Sequence, residues 1–485
     1  LAQGAKRDAD NIANIGKARD KALGQNSRQP SGLCPKSALA LSDSLRIFAI
    51  CAASSFAPPP IFDTTTHGFH SEMHSKLRPS PLTLHASPRF TALPPLSLYI
   101  HIPWCMRKCP YCDFNSHEVR SASGDIPQQD YVAALIADFE QTLPRVWGRR
   151  ISSVFFGGGT PSLLSGAAVD AILAAVRARM PLSPDAEITL EANPGAVEAQ
   201  RFRDYRAAGV NRLSLGIQSF NSRHLKALGR IHDDTQARRA IDIARGHFDN
   251  FNLDLMYGLP KQCLDEALAD IDAALAFAPP HLSAYHLTLE PNTYFHRYPP
   301  LLPDDDTCAQ MQSEIESLLA ARGYDNYETS AFAQPGARCK HNLNYWMFGD
   351  YVGIGAGAHG KISFADRVVR EARYRQPQQF MEKAMAGNAI QESHEVTPRD
   401  IGFEFMMNAL RLNGGFDVRL FAERAGVPLT RVLKPLAAAE QRGLITRDYQ
   451  RVAPTLLGRR FLNELLQIFL PDANQYPAKI ITKNK

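Results

Sequence analysis

The chain has 485 residues, 45% of them hydrophobic and 21% charged, the make-up of a globular protein of two to four domains. Its formal net charge of +5 lies wholly in residues 1–92, which hold 11 Lys+Arg against 6 Asp+Glu, while residues 93–485 hold 43 of each sign. That balance excludes a basic footprint for nucleic acid, and no run approaches the ~18 uninterrupted apolar residues of a membrane span, so a cytoplasmic protein is expected.

Residues 1–92 show no apolar period; Ser, Pro and Ala are scattered, and Met73 opens a short polar lead-in to Pro94 and Pro95. The segment is expected to add no packed structure, with residues 1–72 read as upstream translated sequence. A targeting peptide is the other reading, and the acidic residues argue against it.

From Leu96 the texture changes. Short apolar strands are expected at Leu98–Ile102, Ser153–Phe156, Glu187–Glu191, Arg212–Gly216, Phe251–Met256 and Leu282–Leu289. Amphipathic helices are expected between them, at Asp130–Leu143, Ala167–Ala178, Val197–Ala207, Thr235–Arg245 and Leu264–Phe277. Such alternation implies an α/β fold with a parallel sheet. Six units make a partial TIM-like (β/α)6 barrel over residues 93–330, whose ligands belong at the C-terminal ends of the strands. Residues 331–395 read as an accessory region with a glycine-rich strand and turn at Val352–Gly360. Residues 396–485 read as an α+β domain whose segment Phe416–Pro454 has the helix, helix, strand-pair order of a winged helix. Its balanced charge points to packing rather than DNA binding.

The first strand runs into Cys105, Cys109 and Cys112, spaced C-x3-C-x2-C. Three thiolates this close can hold one [4Fe–4S] cubane from a single loop, leaving one iron without a protein ligand. An open position of that kind is what a substrate-binding metal site needs. Zinc with a remote fourth ligand is the alternative. At the following strand ends stand Gly157–Ser162, with three successive glycines; Glu191 before Ala192, Asn193 and Pro194; and Gln218 after Gly216. Arg230 and Asp254 complete the set, one suited to a carboxylate and the other to hydroxyls or a guanidinium. Each is common as a cap, a turn or a surface ion pair; at successive strand ends they read as one site.

The cysteine loop and the motifs after it resemble the radical S-adenosylmethionine (SAM) family. Within that family the chain is similar to oxygen-independent coproporphyrinogen III oxidase and the HemW-type heme chaperones, from about Pro94 to Leu470. The resemblance implies a SAM molecule bound to the open iron, cleaved by one electron from the cluster to a 5′-deoxyadenosyl radical. It implies Tyr99, Gly158 and Glu191 at a first SAM position, and Gly159, Thr160, Gln218, Arg230 and Asp254 at a second. Tyr111, inside the cysteine loop, joins the cofactor-binding candidates.

Two features separate oxidase from chaperone. The oxidase loop continues C-x2-C-x-C, and here Asp113 and Phe114 follow Cys112. Residues His341–Trp346 match the H-N-x-x-Y-W motif of HemW-like chains, which makes His341 a candidate axial heme ligand. The chaperone reading implies heme as cargo, an acceptor protein on or off a membrane, and an electron donor for the cluster. The oxidase of heme biosynthesis is the alternative.

Overall fold

The computed structural model describes residues 87–120, 125–196 and 199–471; the expectations for residues 1–86 fall outside them. Strands and helices alternate as β1 Leu96–Ile102, α1 Gln128–Thr142, β2 Ile151–Gly158, α2 Gly166–Arg179, β3 Leu182–Ala192, α3 Ala199–Ala208, β4 Arg212–Gln218, α4 Asp234–Arg245, β5 Phe251–Tyr257, α5 Leu264–Leu275 and β6 His281–His286. All six strands are parallel and pair in chain order. Each predicted element is present; the first five strands are one to several residues longer than their apolar runs, and the sixth, expected to reach Leu289, ends at His286.

Local chemistry explains the helices. α2 starts at Ser165, whose side chain accepts from the Ala168 N–H, and buries Val169, Ile172, Leu173 and Val176 at the spacing of one helix face. α4 opens on a capping box between Asp233 and Gln236.

The chain then adds α6 Asp305–Ala321, β7 Asp325–Glu328, β8 Ala331–Ala333, α7 Lys340–Trp346, β9 Asp350–Ile354, β10 His359–Ser363, β11 Val368–Arg373, α8 Pro377–Met385 and β12 Ile390–Glu395. These strands join the barrel sheet, whose order is β12-β11-β10-β9-β1-β2-β3-β4-β5-β6-β8-β7. The glycine-rich segment supplies β9, which pairs in parallel with β1. Glycine is required there because a Cβ on Gly353 would lie 1.9 Å from the His359 carbonyl oxygen.

The parallel strands have two unlike faces. Leu98, Ile100, Val154, Phe156, Leu190, Leu213 and Leu253 share one hydrophobic core with the helices. Each such side chain stabilises the fold by about 1.5–3 kcal/mol. The alternate positions are largely polar and bond across strands: Ser97 to Ser153 at 2.7 Å, Ser214 to Asp254 at 2.8 Å, Asn252 to Ser214 at 2.8 Å. The barrel is therefore apolar outside and polar inside.

The C-terminal region comprises α9 Ile401–Ala409, β13 Phe416–Asp417, α10 Val418–Ala425, α11 Leu433–Gln441, β14 Ile445–Arg447 and β15 Arg451–Pro454, its three strands ordered β13-β15-β14. It has its own core around Phe405, Phe421, Leu436 and Val452. The expected two helices and strand pair are present. Residues at the end of the N-terminal extension also pack: Phe90 lies against this core, and Arg89 N–H donates to the Gly426 carbonyl at 2.8 Å. No helix among the described residues is long and apolar enough to cross a membrane.

Candidate metal and cofactor site

The cysteine loop leaves β1 at the C-terminal end of the barrel and is clamped at both ends. Trp104–Cys105 pairs with His117–Glu118, and Glu118 accepts from the Lys108 N–H at 2.8 Å. Asn115 donates to the Ala356 and Arg375 carbonyls, each at 2.9 Å, and a Cβ on Gly357 would strike its amide nitrogen at 2.3 Å. His101 supports the loop from below. Its Nε2 donates to the Asn115 carbonyl at 2.9 Å and its Nδ1 accepts from the Tyr99 hydroxyl at 2.7 Å. Burial brings the His101 pKa down to about 4, so the ring is neutral and holds this tautomer.

All three thiols face one cavity, together with Tyr111, Gly158, Gly159, Thr160, Glu191, Gln218, Arg230 and Asp254. Thr160 Oγ1 lies 3.5 Å from Cys105 Sγ, and Arg230 Nη1 lies 3.7 Å from Cys109 Sγ. Arg230 is aimed by two further bonds from Nη2, to the Gly216 carbonyl at 2.8 Å and Asn193 Oδ1 at 3.1 Å. Gln218 turns into the cavity through a break in the β4–β5 register and a φ of 67°. Gly158, at φ 113°, allows close approach: a Cβ there would lie 2.6 Å from the His101 ring.

The electrostatics fit a cationic ligand. Burial first, and the facing Asp254 second, push Glu191 well above the usual carboxylate range, against an opposing hydrogen bond from Gly158. Burial also raises Asp254, against hydrogen bonds from Ser214 and Asn252 and the charge of Arg212. Burial and the neighbouring Cys109 push the Cys112 thiol up to about 12, and burial raises Cys105. Converging sulfurs that resist ionising alone become good ligands once a cation lies among them. Two carboxylates facing each other beside them suit an ammonium or sulfonium group, and Arg230 suits a carboxylate. The donor set fits a cluster with bound SAM.

Two sequence candidates lie elsewhere. Tyr99 sits behind the cavity wall, packed on Phe155 and bonded to His101. His341 is only 2% exposed and lies near the N-terminal ends of the strands, opposite the cysteine loop. Its Nδ1 is 2.9 Å from Glu187 Oε1, and its ring stacks on Phe155 at 4.2 Å between centroids. Its motif neighbours are spent on packing: Asn344 donates to Ser97 at 2.8 Å, and Trp346 lies under the Arg411 guanidinium. The sequence reading missed His286, Met256 and Tyr285, which also line the cavity. Their signal was position, since His286 is the last residue of β6 and Met256 is next to last in β5.

The chain matches the radical SAM superfamily model over residues 99–274 and the HemN C-terminal domain model over residues 396–461. It is 50% identical to heme chaperone HemW of Escherichia coli over 384 residues, covering 78% of this chain and 99% of that one. It is 35% identical to heme chaperone HemW of Bacillus subtilis over 386 residues, with the same two coverages. Against the mitochondrial radical S-adenosyl methionine domain-containing protein 1 of Mus musculus, identity is 34% and coverage 78% and 88%. The solved structure of coproporphyrinogen III oxidase (HemN) from Escherichia coli superposes with a TM-score of 0.66 at 25% identity, over 78% of this chain and 90% of that one. With cysteine loop, barrel and C-terminal domain aligned almost end to end, the chain belongs to the HemW family of the radical SAM superfamily.

Proposed function

We propose that this protein is a heme chaperone that binds heme at the cavity beside its cluster loop and passes it to an acceptor protein. The observation that carries the reading is the 50% identity to a heme chaperone over 99% of that protein's length. Cys105, Cys109 and Cys112 would hold a [4Fe–4S] cluster, which with SAM supplies one-electron chemistry when reduced by a donor. Glu191 and Asp254 would hold the cationic part of SAM and Arg230 its carboxylate. Gly158, Gly159 and Thr160 give the ligand close backbone approach, while Gln218 and Tyr111 close the sides.

Heme needs apolar contact and an axial ligand, for which an imidazole is well suited. Met256, Tyr285 and Leu287 give the cavity an apolar side, and His286 stands exposed beside them. His341 has no such opening. The test is an anaerobic heme titration of the cluster-loaded protein, with coproporphyrinogen decarboxylation assayed on the same sample. Wild type should bind heme and show no decarboxylation, and His286→Ala should alter the Soret band. A wild type that binds no heme and decarboxylates coproporphyrinogen would return the oxidase, which the HemN superposition favours.

A further inference from the structure

The H-N-x-x-Y-W histidine closes a ring of buried polar groups at the lower end of the barrel. From His341 the ring runs through Glu187 to Arg212, whose Nε is 3.9 Å from Glu187 Oε2. Arg212 is buried and interacts electrostatically with Asp254 as well as Glu187. Asp254 Oδ1 accepts from Asn252 Nδ2 at 2.8 Å. Asn252 Oδ1 in turn faces His281 Nδ1 at 2.7 Å, and His281 Nε2 faces the Tyr327 hydroxyl at 2.9 Å. The Tyr327 hydroxyl accepts from the Cys339 N–H at 3.3 Å, and the Cys339 sulfur lies 3.1 Å from His341 Nδ1.

The donors and acceptors are mutually consistent. Burial, with Arg212 adding to it, lowers His281 far below the usual imidazole range, so the ring is neutral. Nδ1–H then donates to the Asn252 carbonyl oxygen, which leaves the Asn252 amide to donate to Asp254. Nε2 accepts from Tyr327. Reversing any one bond from Tyr327 through His281 and Asn252 to Asp254 leaves a buried group unpaired, which costs more than the bond gains. The orientation of Asp254, the one ring member that lines the cavity, is thus tied to α7.

We propose that His341 is a positioning residue for Asp254, acting through this ring, and not a ligand for heme iron. The inference rests on the reading that Asp254 binds SAM. Loss of the His341 imidazole removes its 3.1 Å contact with the Cys339 sulfur and loosens the Cys339, Tyr327, His281 and Asn252 bonds behind Asp254, so that the carboxylate, still bonded to Ser214, loses part of its set direction. Glu187, Cys339 and His341 also make a donor set for a divalent cation, all three ligand atoms lying within 4.8 Å of one another. The fixed positive charge of Arg212 beside Glu187 opposes a dication there.

The experiment measures SAM affinity of the anaerobic, cluster-loaded protein, with the electron paramagnetic resonance signal of the reduced cluster recorded with and without SAM. In His341→Ala, SAM affinity should fall about tenfold. Iron content and the heme Soret band should be unchanged. His341→Gln, which retains a donor for Glu187, should recover part of the loss. Tyr327→Phe deletes a single ring hydroxyl and decides the matter if His341→Ala does not fold; it too should weaken SAM binding. Asp254→Asn separates SAM binding by Asp254 from its coupling to His341. Unchanged SAM affinity in Asp254→Asn would refute the reading beneath the inference. A loss there, with none in the folded His341 and Tyr327 variants, would refute the coupling alone. A Soret change in His341→Ala with SAM affinity retained, or one equivalent of zinc lost with His341, would also overturn the proposal.

Discussion

Cys105 and Cys112 sit where burial and neighbouring sulfur resist ionisation, so a bound cation is what makes thiolates of them. Replacing any one of Cys105, Cys109 and Cys112 by Ala should remove the cluster chromophore, because two thiolates do not hold a four-iron cubane. Cys308→Ala and Cys339→Ala should keep it. A Cys109→Ala protein that still bound about four irons per chain would refute the ligand set. Glu328 makes a different prediction. Burial pushes its pKa up to about 7 from 4.5, against the charge of Arg411. A raised acid favours the folded state most below pH 4.5, and that contribution is lost as pH rises to about 7. The full swing is on the order of 3 kcal/mol. Thermal unfolding of Glu328→Gln should therefore lose the decline that wild type shows across this window; an identical slope in both proteins would refute the assignment. Single residues were legible in the sequence where they stood at strand ends. The place of His341 was not legible, because a motif does not say which end of the barrel it closes.

The elements of the barrel were legible because each strand carries one apolar face for the helices. The same alternation hid the polar interior, since Ser97, Asn252 and His281 read as interruptions until the strands are closed around one another. What could not be read was the sheet beyond β6: β9 pairs with β1 across most of the chain and carries β10 to β12 with it, and long-range pairing leaves no local period. Gly158 tests how tightly an element end is tuned. Gly158→Ala should lose about 1–3 kcal/mol of stability and weaken SAM binding, because the new Cβ displaces His101 and with it the cysteine loop. Gly323→Ala is the comparison. It has a similar positive φ of 80° with nothing within 4 Å, so it should cost only the backbone strain, about 1 kcal/mol. Equal losses of stability and SAM affinity in the two variants would show that the contact with His101 carries no weight.

At the scale of the whole molecule, the N-terminal extension divides at its contacts with the C-terminal domain. A chain beginning at Met73 should match the full chain in unfolding midpoint and iron content, since it retains Arg89 and Phe90 and their contacts with the C-terminal domain. A chain beginning at Leu93 loses them and should melt lower. A fall of several degrees in the first case would show that residues 1–72 are part of the fold. The parallel pairing of β1 with β9 has a consequence for biosynthesis. β1 leaves the ribosome early, yet one of its two neighbours is encoded about 250 residues later, roughly 10–50 s of elongation. Until then the strand that carries the cysteine loop presents a bare edge, open to wrong partners. The metal site is therefore not finished when its ligands are translated. Iron–sulfur assembly on this protein should be a late, post-translational event, and a nascent chain halted before Asp350 should remain colourless however much iron and sulfide is supplied.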